Sequence, residues 1–193
     1  MPYNTLLNLH AVIKSSRVNG PGRRLVVFFQ GCGRRCEGCF NPETHPLKPR
    51  LIMTADELFR DYLVSGIEGI TVSGGEPFLQ YKGLRELLVS ARVEHGLSTV
   101  VYTGFVYEEI LDNPEMSLCL GCTDALVDGP YDSQRPEDTL LARGSTNQRI
   151  ILLTGRYTAG DFYLPAKAEV VISGNGTVAA SGFARVDLRQ ASI

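Results

Sequence analysis

Three observations in the sequence predict an α/β fold with a parallel sheet and helices outside it. Short apolar runs bounded by turn residues recur along the chain, helix-period apolar patterns fall between them, and the order strand, loop, helix repeats. A length of 193 residues fits one domain able to bury its own core. With 44% hydrophobic and 21% charged residues, the chain is apolar enough to fold.

The elements follow in order. After the turn Asn19-Gly20-Pro21-Gly22, Leu25 to Gln30 reads as a strand buried on both faces, and it leads directly into a cysteine-rich loop. Thr54 and Glu57 form a capping-box signature, and Leu58, Phe59, Tyr62 and Leu63 share a helical face, so the spacing predicts a helix over 55–64. Gly69 to Ser73 reads as the next strand. A glycine turn follows it, then a helix carrying Leu84, Leu87, Leu88 and Ala91 at three-to-four residue spacing. Further strands are expected at Ser98 to Thr103, Ala125 to Val127 and Arg149 to Leu153, with a helix near Val106 to Leu111. Asp112 to Thr123 contains Pro114, shows no period and stays unassigned. Near the C-terminus, Glu169 to Ser173 and Thr177 to Ala180 flank Gly174-Asn175-Gly176, which predicts a β-hairpin. The expected organisation is a core over residues 1–154 and a C-terminal extension over 155–193 packed on the same domain.

Nineteen Lys plus Arg against twenty-one Asp plus Glu leave a net charge of −2, so no global positive field attracts nucleic acid or an anionic membrane. The longest strongly apolar run, Leu25 to Phe29, is far shorter than the roughly 20 residues of a membrane helix. The first residues lack the basic region and apolar core of a leader, and the expected location is the cytoplasm.

Five cysteines are an odd number, and three of them crowd into Cys32-Gly-Arg-Arg-Cys36-Glu-Gly-Cys39, where neighbouring disulfides would be strained. This C-x3-C-x2-C spacing directs three thiolates at one iron-sulfur cluster and leaves one iron open to a cofactor or substrate. Gly31, Gly33 and Gly38 give the loop backbone freedom and let amides approach the sulfurs. The alternative is a zinc site made from Cys36, Cys39, Cys119 and Cys122, which leaves Cys32 idle. Cys119 and Cys122 otherwise read as packing residues.

Ser73-Gly74-Gly75-Glu76-Pro77 comes at the end of a predicted strand, where parallel α/β folds bind ligands. Its glycines bring backbone carbonyls close to a cationic amine, and Glu76 orients the loop or adds negative charge. The plainer reading is a tight strand-to-helix turn.

The cysteine motif with Phe40 and the Gly74-Gly75-Glu76-Pro77 loop together resemble the radical S-adenosylmethionine (SAM) superfamily. Val18-Asn-Gly-Pro-Gly22, Gln30-Gly-Cys32, Gly38-Cys-Phe-Asn41, Tyr102-Thr-Gly-Phe105, Leu126-Val-Asp-Gly-Pro130 and Arg143-Gly-Ser-Thr-Asn-Gln148 resemble, in order, motifs of anaerobic ribonucleotide reductase activating proteins. The resemblance implies an incomplete parallel (β/α)6-type barrel, open on one side. It implies a [4Fe-4S] cluster on Cys32, Cys36 and Cys39, with SAM contacted by Phe40, Ser73, Gly74, Gly75 and Glu76. Tyr102, Thr103, Asp128, Arg143, Ser145 and Asn147 are further candidates to contact it. It also implies reductive cleavage of SAM to a 5′-deoxyadenosyl radical that takes a hydrogen from a glycine of a glycyl-radical enzyme subunit, with a flavodoxin or ferredoxin as electron donor.

Such chemistry needs no general acid or base, and the scattered His10, His45 and His95 read as surface or structural. Arg34 and Arg35 read either as a dock for an acidic electron donor or as a solvated loop. About 40 residues follow Gln148, beyond where the compact activases end. That length keeps two other readings open: a stand-alone radical SAM enzyme acting on a peptide or metabolite, and a metal-binding interaction module without catalysis.

Overall fold

The computed structural model describes residues 4–172 and 178–184. Seven strands form one sheet: β1 (Leu7–Ser16), β2 (Arg24–Phe29), β3 (Leu51–Met53), β4 (Gly69–Gly74), β5 (Ser98–Tyr102), β6 (Ala125–Asp128) and β7 (Arg149–Leu152). Their order is β3-β1-β2-β4-β5-β6-β7. β2, β4, β5 and β6 run parallel, while β1 pairs antiparallel with β2 and β3, and β7 antiparallel with β6.

The sheet is therefore mixed, with the expected parallel strands at its centre and antiparallel strands toward both edges. A parallel step needs a long crossover, usually a helix. Each of β4, β5 and β6 is preceded by helical structure, but residues 129–148 between β6 and β7 contain none. That stretch folds back on itself instead, with Glu137 N–H donating to the Gly144 carbonyl at 3.2 Å and Thr146 N–H to the Arg135 carbonyl at 2.8 Å. The chain returns beside β6 in the opposite sense. β1 and β3 were not expected from the sequence.

Helix α1 (Ala55–Tyr62) starts on the anticipated capping box, with Glu57 N–H donating to Thr54 Oγ1 at 3.2 Å and Thr54 N–H to Glu57 Oε2 at 2.8 Å. It stops at Tyr62 because Leu63 takes an extended conformation. Helix α2 (Tyr81–Val89) buries Leu84, Leu87 and Leu88, and a π-helical turn at Ser90–Glu94 keeps Ala91 inside. The unassigned segment forms α4 (Pro114–Ser117), just after α3 (Tyr107–Leu111), and a 3-10 turn at Leu120–Cys122.

Alternation along the strands splits the core in two. Val27, Val72, Val101 and Leu126 pack with Leu58, Leu84, Leu87 and Leu88 of the helices. Val100, Ala125 and Val127 face the other way and are covered by Ala142, Phe162 and Leu164. Burying a side chain such as Phe162 contributes about 2–3 kcal/mol, so the segment after β7 helps to hold the sheet. It continues into an antiparallel pair, β8 (Ala168–Ile172) and β9 (Val178–Gly182). These are the two arms expected of the hairpin, and the Gly174-Asn175-Gly176 turn lies outside the described residues.

Arg24 is fully buried at the start of β2. Its guanidinium donates to Ser98 Oγ at 2.6 Å, to the Tyr157 hydroxyl at 2.7 Å and to Thr71 Oγ1 at 3.1 Å, so the buried charge is distributed over neutral oxygens. Burial lowers its pKa, with the neighbouring Tyr157 opposing. Removing that acceptor in Tyr157→Phe is expected to cost about 1–3 kcal/mol in urea unfolding; an unchanged midpoint would show that the Tyr157 hydroxyl does not stabilise the buried Arg24.

Candidate functional site

The C-terminal ends of β2, β4 and β5, together with the loop after β6, border one cavity of about 750 Å³. The loop after β2 carries the cysteines. Gly31 (φ +100°) turns the chain out of the sheet, where its N–H donates to the Thr44 carbonyl at 2.7 Å and Cys32 N–H to the His45 carbonyl at 3.1 Å. Gly38 (φ +69°) supplies a second left-handed residue, and Arg35 takes φ +49° without being glycine. A side chain at Gly33 would meet open space, so that position does not need glycine for room.

Cys32, Cys36 and Cys39 are free, partly buried thiols on the cavity wall. Burial raises the Cys39 thiol above its ordinary range. The Asn41 N–H, donating to its Sγ at 3.4 Å, opposes that rise, while Cys36 and Cys32 are near enough to add to it. Three thiols sharing one cavity, one already receiving an amide N–H, match the donor set of an iron-sulfur cluster. Among the described residues no three His, Cys, Asp or Glu side chains converge on a point fit for a single ion. The zinc alternative fails on the position of Cys119 and Cys122. Cys119 is fully buried in the core, its Sγ donating to the Tyr81 carbonyl at 3.4 Å, and burial pushes its thiol up to about 12. Cys122 packs partly buried against the same core.

The loop after β4 is stitched to the cysteine loop by its backbone. Gly75 N–H donates to the Phe29 carbonyl at 2.9 Å and Glu76 N–H to the Gly31 carbonyl at 2.8 Å. A Cβ on Gly75 would lie 2.3 Å from the Gly31 carbonyl oxygen, and one on Gly74 (φ +102°) 2.5 Å from Phe29 N. Both glycines are thus fixed by backbone approach. Glu76 is buried and holds the neighbouring loop: Oε1 accepts from Thr103 Oγ1 at 2.8 Å and Phe78 N–H at 3.1 Å, and Oε2 from Gly104 N–H at 2.8 Å. Burial pushes this carboxyl up, and the three donors and Arg34 oppose it.

Of the anticipated residues, Phe40, Ser73, Gly74, Gly75, Glu76, Tyr102 and Thr103 line the cavity with the cysteines. Phe40 packs on Tyr131 at 4.9 Å between ring centroids. The Tyr102 hydroxyl donates to the Ala142 carbonyl at 3.0 Å, and burial raises its pKa.

Asp128, Arg143, Ser145 and Asn147 do not line the cavity; their neighbours Gly129, Gly144 and Gln148 do. Asp128 is paired with Arg149 and accepts from Tyr107 N–H at 2.7 Å. Arg143 pairs with Glu137 at 2.6 Å and donates to the Gln148 carbonyl at 2.7 Å. Ser145 Oγ accepts from Asp132 N–H at 3.1 Å, and Asn147 donates to the Pro130 carbonyl at 2.8 Å.

Sequence reasoning missed Tyr131 and Ala180 to Ala184, which also border the cavity. Tyr131 directly follows the Leu126 to Pro130 motif, a signal that was there to be read. Arg34 is no free docking charge. It lies 4.3 Å above the Phe105 ring, pairs with Glu109 at 3.3 Å and approaches Glu76 at 4.0 Å. Arg35 is exposed.

A thiol-rich loop and a glycine-rich loop at the ends of parallel strands define a cofactor-binding α/β protein. Residues 18–151 match the family described as "4Fe-4S single cluster domain". The chain is 34% identical over 153 residues to the anaerobic ribonucleoside-triphosphate reductase-activating protein of Enterobacteria phage T4, covering 75% of this chain and 93% of that protein. It is 38% identical over 120 residues to the pyruvate formate-lyase-activating enzyme of Clostridium pasteurianum, covering 57% of this chain and 50% of that enzyme. The corresponding Staphylococcus aureus (strain USA300) enzyme is 38% identical over 103 residues, covering 50% of this chain and 41% of that enzyme. The chain thus spans half or less of the pyruvate formate-lyase-activating enzymes it matches. It belongs to the radical SAM family through its 4Fe-4S single cluster domain. No helix among the described residues is long and apolar enough to cross a membrane.

Two variants probe this architecture. Gly75→Ala forces the Gly31 carbonyl away and is expected to destabilise the metal-free chain by about 1–3 kcal/mol and to lower iron loading; normal loading and stability would show that the close approach is dispensable. Burial alone raises the Glu137 carboxyl, but hydrogen bonds from Thr139 and Arg143 outweigh it and hold its pKa at about 2. A depressed carboxylate stabilises the fold above its unfolded pKa of about 4.3 and loses that contribution as pH falls toward the folded value. Glu137→Gln is therefore expected to cost about 1–3 kcal/mol near neutral pH, with the gap to wild type closing between about pH 5 and about pH 2. A gap that does not depend on pH would refute the ion-pair account.

Proposed function

We propose that the chain holds one [4Fe-4S] cluster on Cys32, Cys36 and Cys39, binds SAM beside it, and activates a glycyl-radical enzyme such as an anaerobic ribonucleotide reductase. The observation that carries this reading is the shared cavity: the three thiols and the Gly74-Gly75-Glu76 backbone face the same space and are joined by two main-chain hydrogen bonds. The similarity to an activating protein over 93% of that protein's length supports the same partner class.

When bound on Cys32, Cys36 and Cys39, the cluster would supply the electron for reductive cleavage of SAM held beside it. The chain's own part is positioning and exclusion of water. The loop at Ser73 to Gly75 offers main-chain groups to a methionine ammonium, and buried Glu76 keeps that loop and the Thr103-Gly104 turn in register. Phe40 and Tyr131 form an aromatic wall. Tyr102, the last residue of β5, and Thr103 after it line the cavity and would contact SAM there. Asp128, Arg143, Ser145 and Asn147 act from behind, fixing the backbone that carries Gly129, Gly144 and Gln148.

In this reading the open sheet is an incomplete (β/α)6-type barrel. Residues 1–154 form the core, and residues 155–193 are an extension packed on it. A flavodoxin or ferredoxin in the cytoplasm supplies the electron.

The test is anaerobic reconstitution with iron and sulfide, followed by dithionite and SAM with and without a glycyl-radical subunit. Expected are 5′-deoxyadenosine and a glycyl radical seen by electron paramagnetic resonance. Product without that radical would move the substrate to a peptide or small molecule, and zinc without iron would sink the reading. Cys36→Ala is expected to abolish both iron loading and product, whereas Cys119→Ala keeps both.

A further inference from the structure

The family match ends at residue 151, yet residues 180–184 border the same cavity as the cysteines. These residues reach it because the extension is fastened at several separate points. Asn19 donates to Ser181 Oγ at 2.7 Å, both residues being buried, and Phe183 packs on Tyr102 at 5.6 Å between centroids. Lys167 donates to the Glu137 carbonyl at 2.7 Å, and Arg17 N–H to Glu169 Oε2 at 3.3 Å. Phe162 and Leu164 anchor the preceding stretch in the core.

The wall so placed has a distinct chemistry. Ala180, Ser181, Gly182, Phe183 and Ala184 carry no charge, and four of the five have very small side chains. Gly182 (φ +119°) cannot carry a larger one, since its Cβ would lie 2.3 Å from the Lys167 carbonyl oxygen. Ser181 Oγ is already engaged with Asn19. Such a surface offers main chain and shallow apolar contact, with no partner for a phosphate, carboxylate or ammonium. Among the described residues β9 pairs with β8 alone, so an extended segment has a strand to lie along.

We infer that the end of β9 and the two residues after it, Ala180 to Ala184, are the substrate-facing wall of the cavity and select which glycine-bearing segment of a partner enters, by admitting an extended main chain with small side chains. The inference rests on the activase reading above. It assigns the extension to partner choice and leaves the cluster and SAM to the core.

Ala180 is exposed, so a larger residue there fills the path without disturbing the core. The experiment compares full-length wild type and Ala180→Phe, both reconstituted, in three measurements. These are SAM cleavage without partner, SAM affinity by equilibrium binding, and glycyl-radical yield on anaerobic ribonucleotide reductase and on pyruvate formate-lyase. Expected is a loss of radical yield of about tenfold or more on the subunit that wild type activates, with SAM affinity and partner-free cleavage within about twofold of wild type. Equal losses in all three measurements would place this wall against SAM instead, and an unchanged radical yield would remove it from substrate choice; either overturns the inference. If wild type cleaves SAM but raises a radical on neither subunit, the activase reading itself fails, and this inference with it.

Discussion

The site depends on one close approach of two backbones. The Gly74-Gly75 turn lies against Phe29 and Gly31 so tightly that a single methyl group on either glycine would collide with main chain. Two hydrogen bonds close the gap and continue the β2–β4 pairing beyond the sheet. The loop that carries the thiols and the loop that offers main-chain groups therefore share one rigid seam. Glu76 extends the seam sideways, because its buried carboxylate accepts from Thr103 and Gly104 at the end of β5. Three strand ends are aligned by backbone geometry and one acid.

The opposite end of the same strands is fixed by a different device. Arg24 starts β2 with a buried guanidinium whose partners come from β4, β5 and Tyr157. A bare charge there would be costly, and its dense set of oxygen acceptors offsets the desolvation. Tyr157 belongs to the segment after β7, so sheet and extension are coupled at the end far from the cysteines. The hairpin is coupled to them again at the cavity, through Asn19 and Tyr102.

The parts of this arrangement legible in the sequence are those with an uninterrupted period. β2, β4, β5 and β6 are compact apolar runs, and α1 announces itself through Thr54 and Glu57. β1 was missed although Leu7, Leu9, Ala11 and Ile13 keep a two-residue spacing interrupted by Val12, and in the structure a bulge between Leu9 and Ala11 shifts the register. β3, with three residues, is too short to show a pattern. The antiparallel sense of β7 is absent from its own residues, but the helix-free connector before it pointed that way. At the site, the cysteine and Gly-Gly-Glu-Pro motifs were legible because local spacing encodes them. The contribution of residues 180–184 was not, because contacts far apart in sequence such as Asn19 to Ser181 bring them there.

The two outer strands of the sheet have a consequence of a different kind. β3 has three residues and β7 four, and β7 begins with Arg149, whose guanidinium is held by Asp128 and Glu108. Open sheets offer unpaired edges on which other chains can stack into fibrils, and short, charged edge strands are a recognised protection. A sheet that keeps its parallel strands in the middle and ends on such stubs offers a neighbouring chain little to stack on along β3 and β7 themselves.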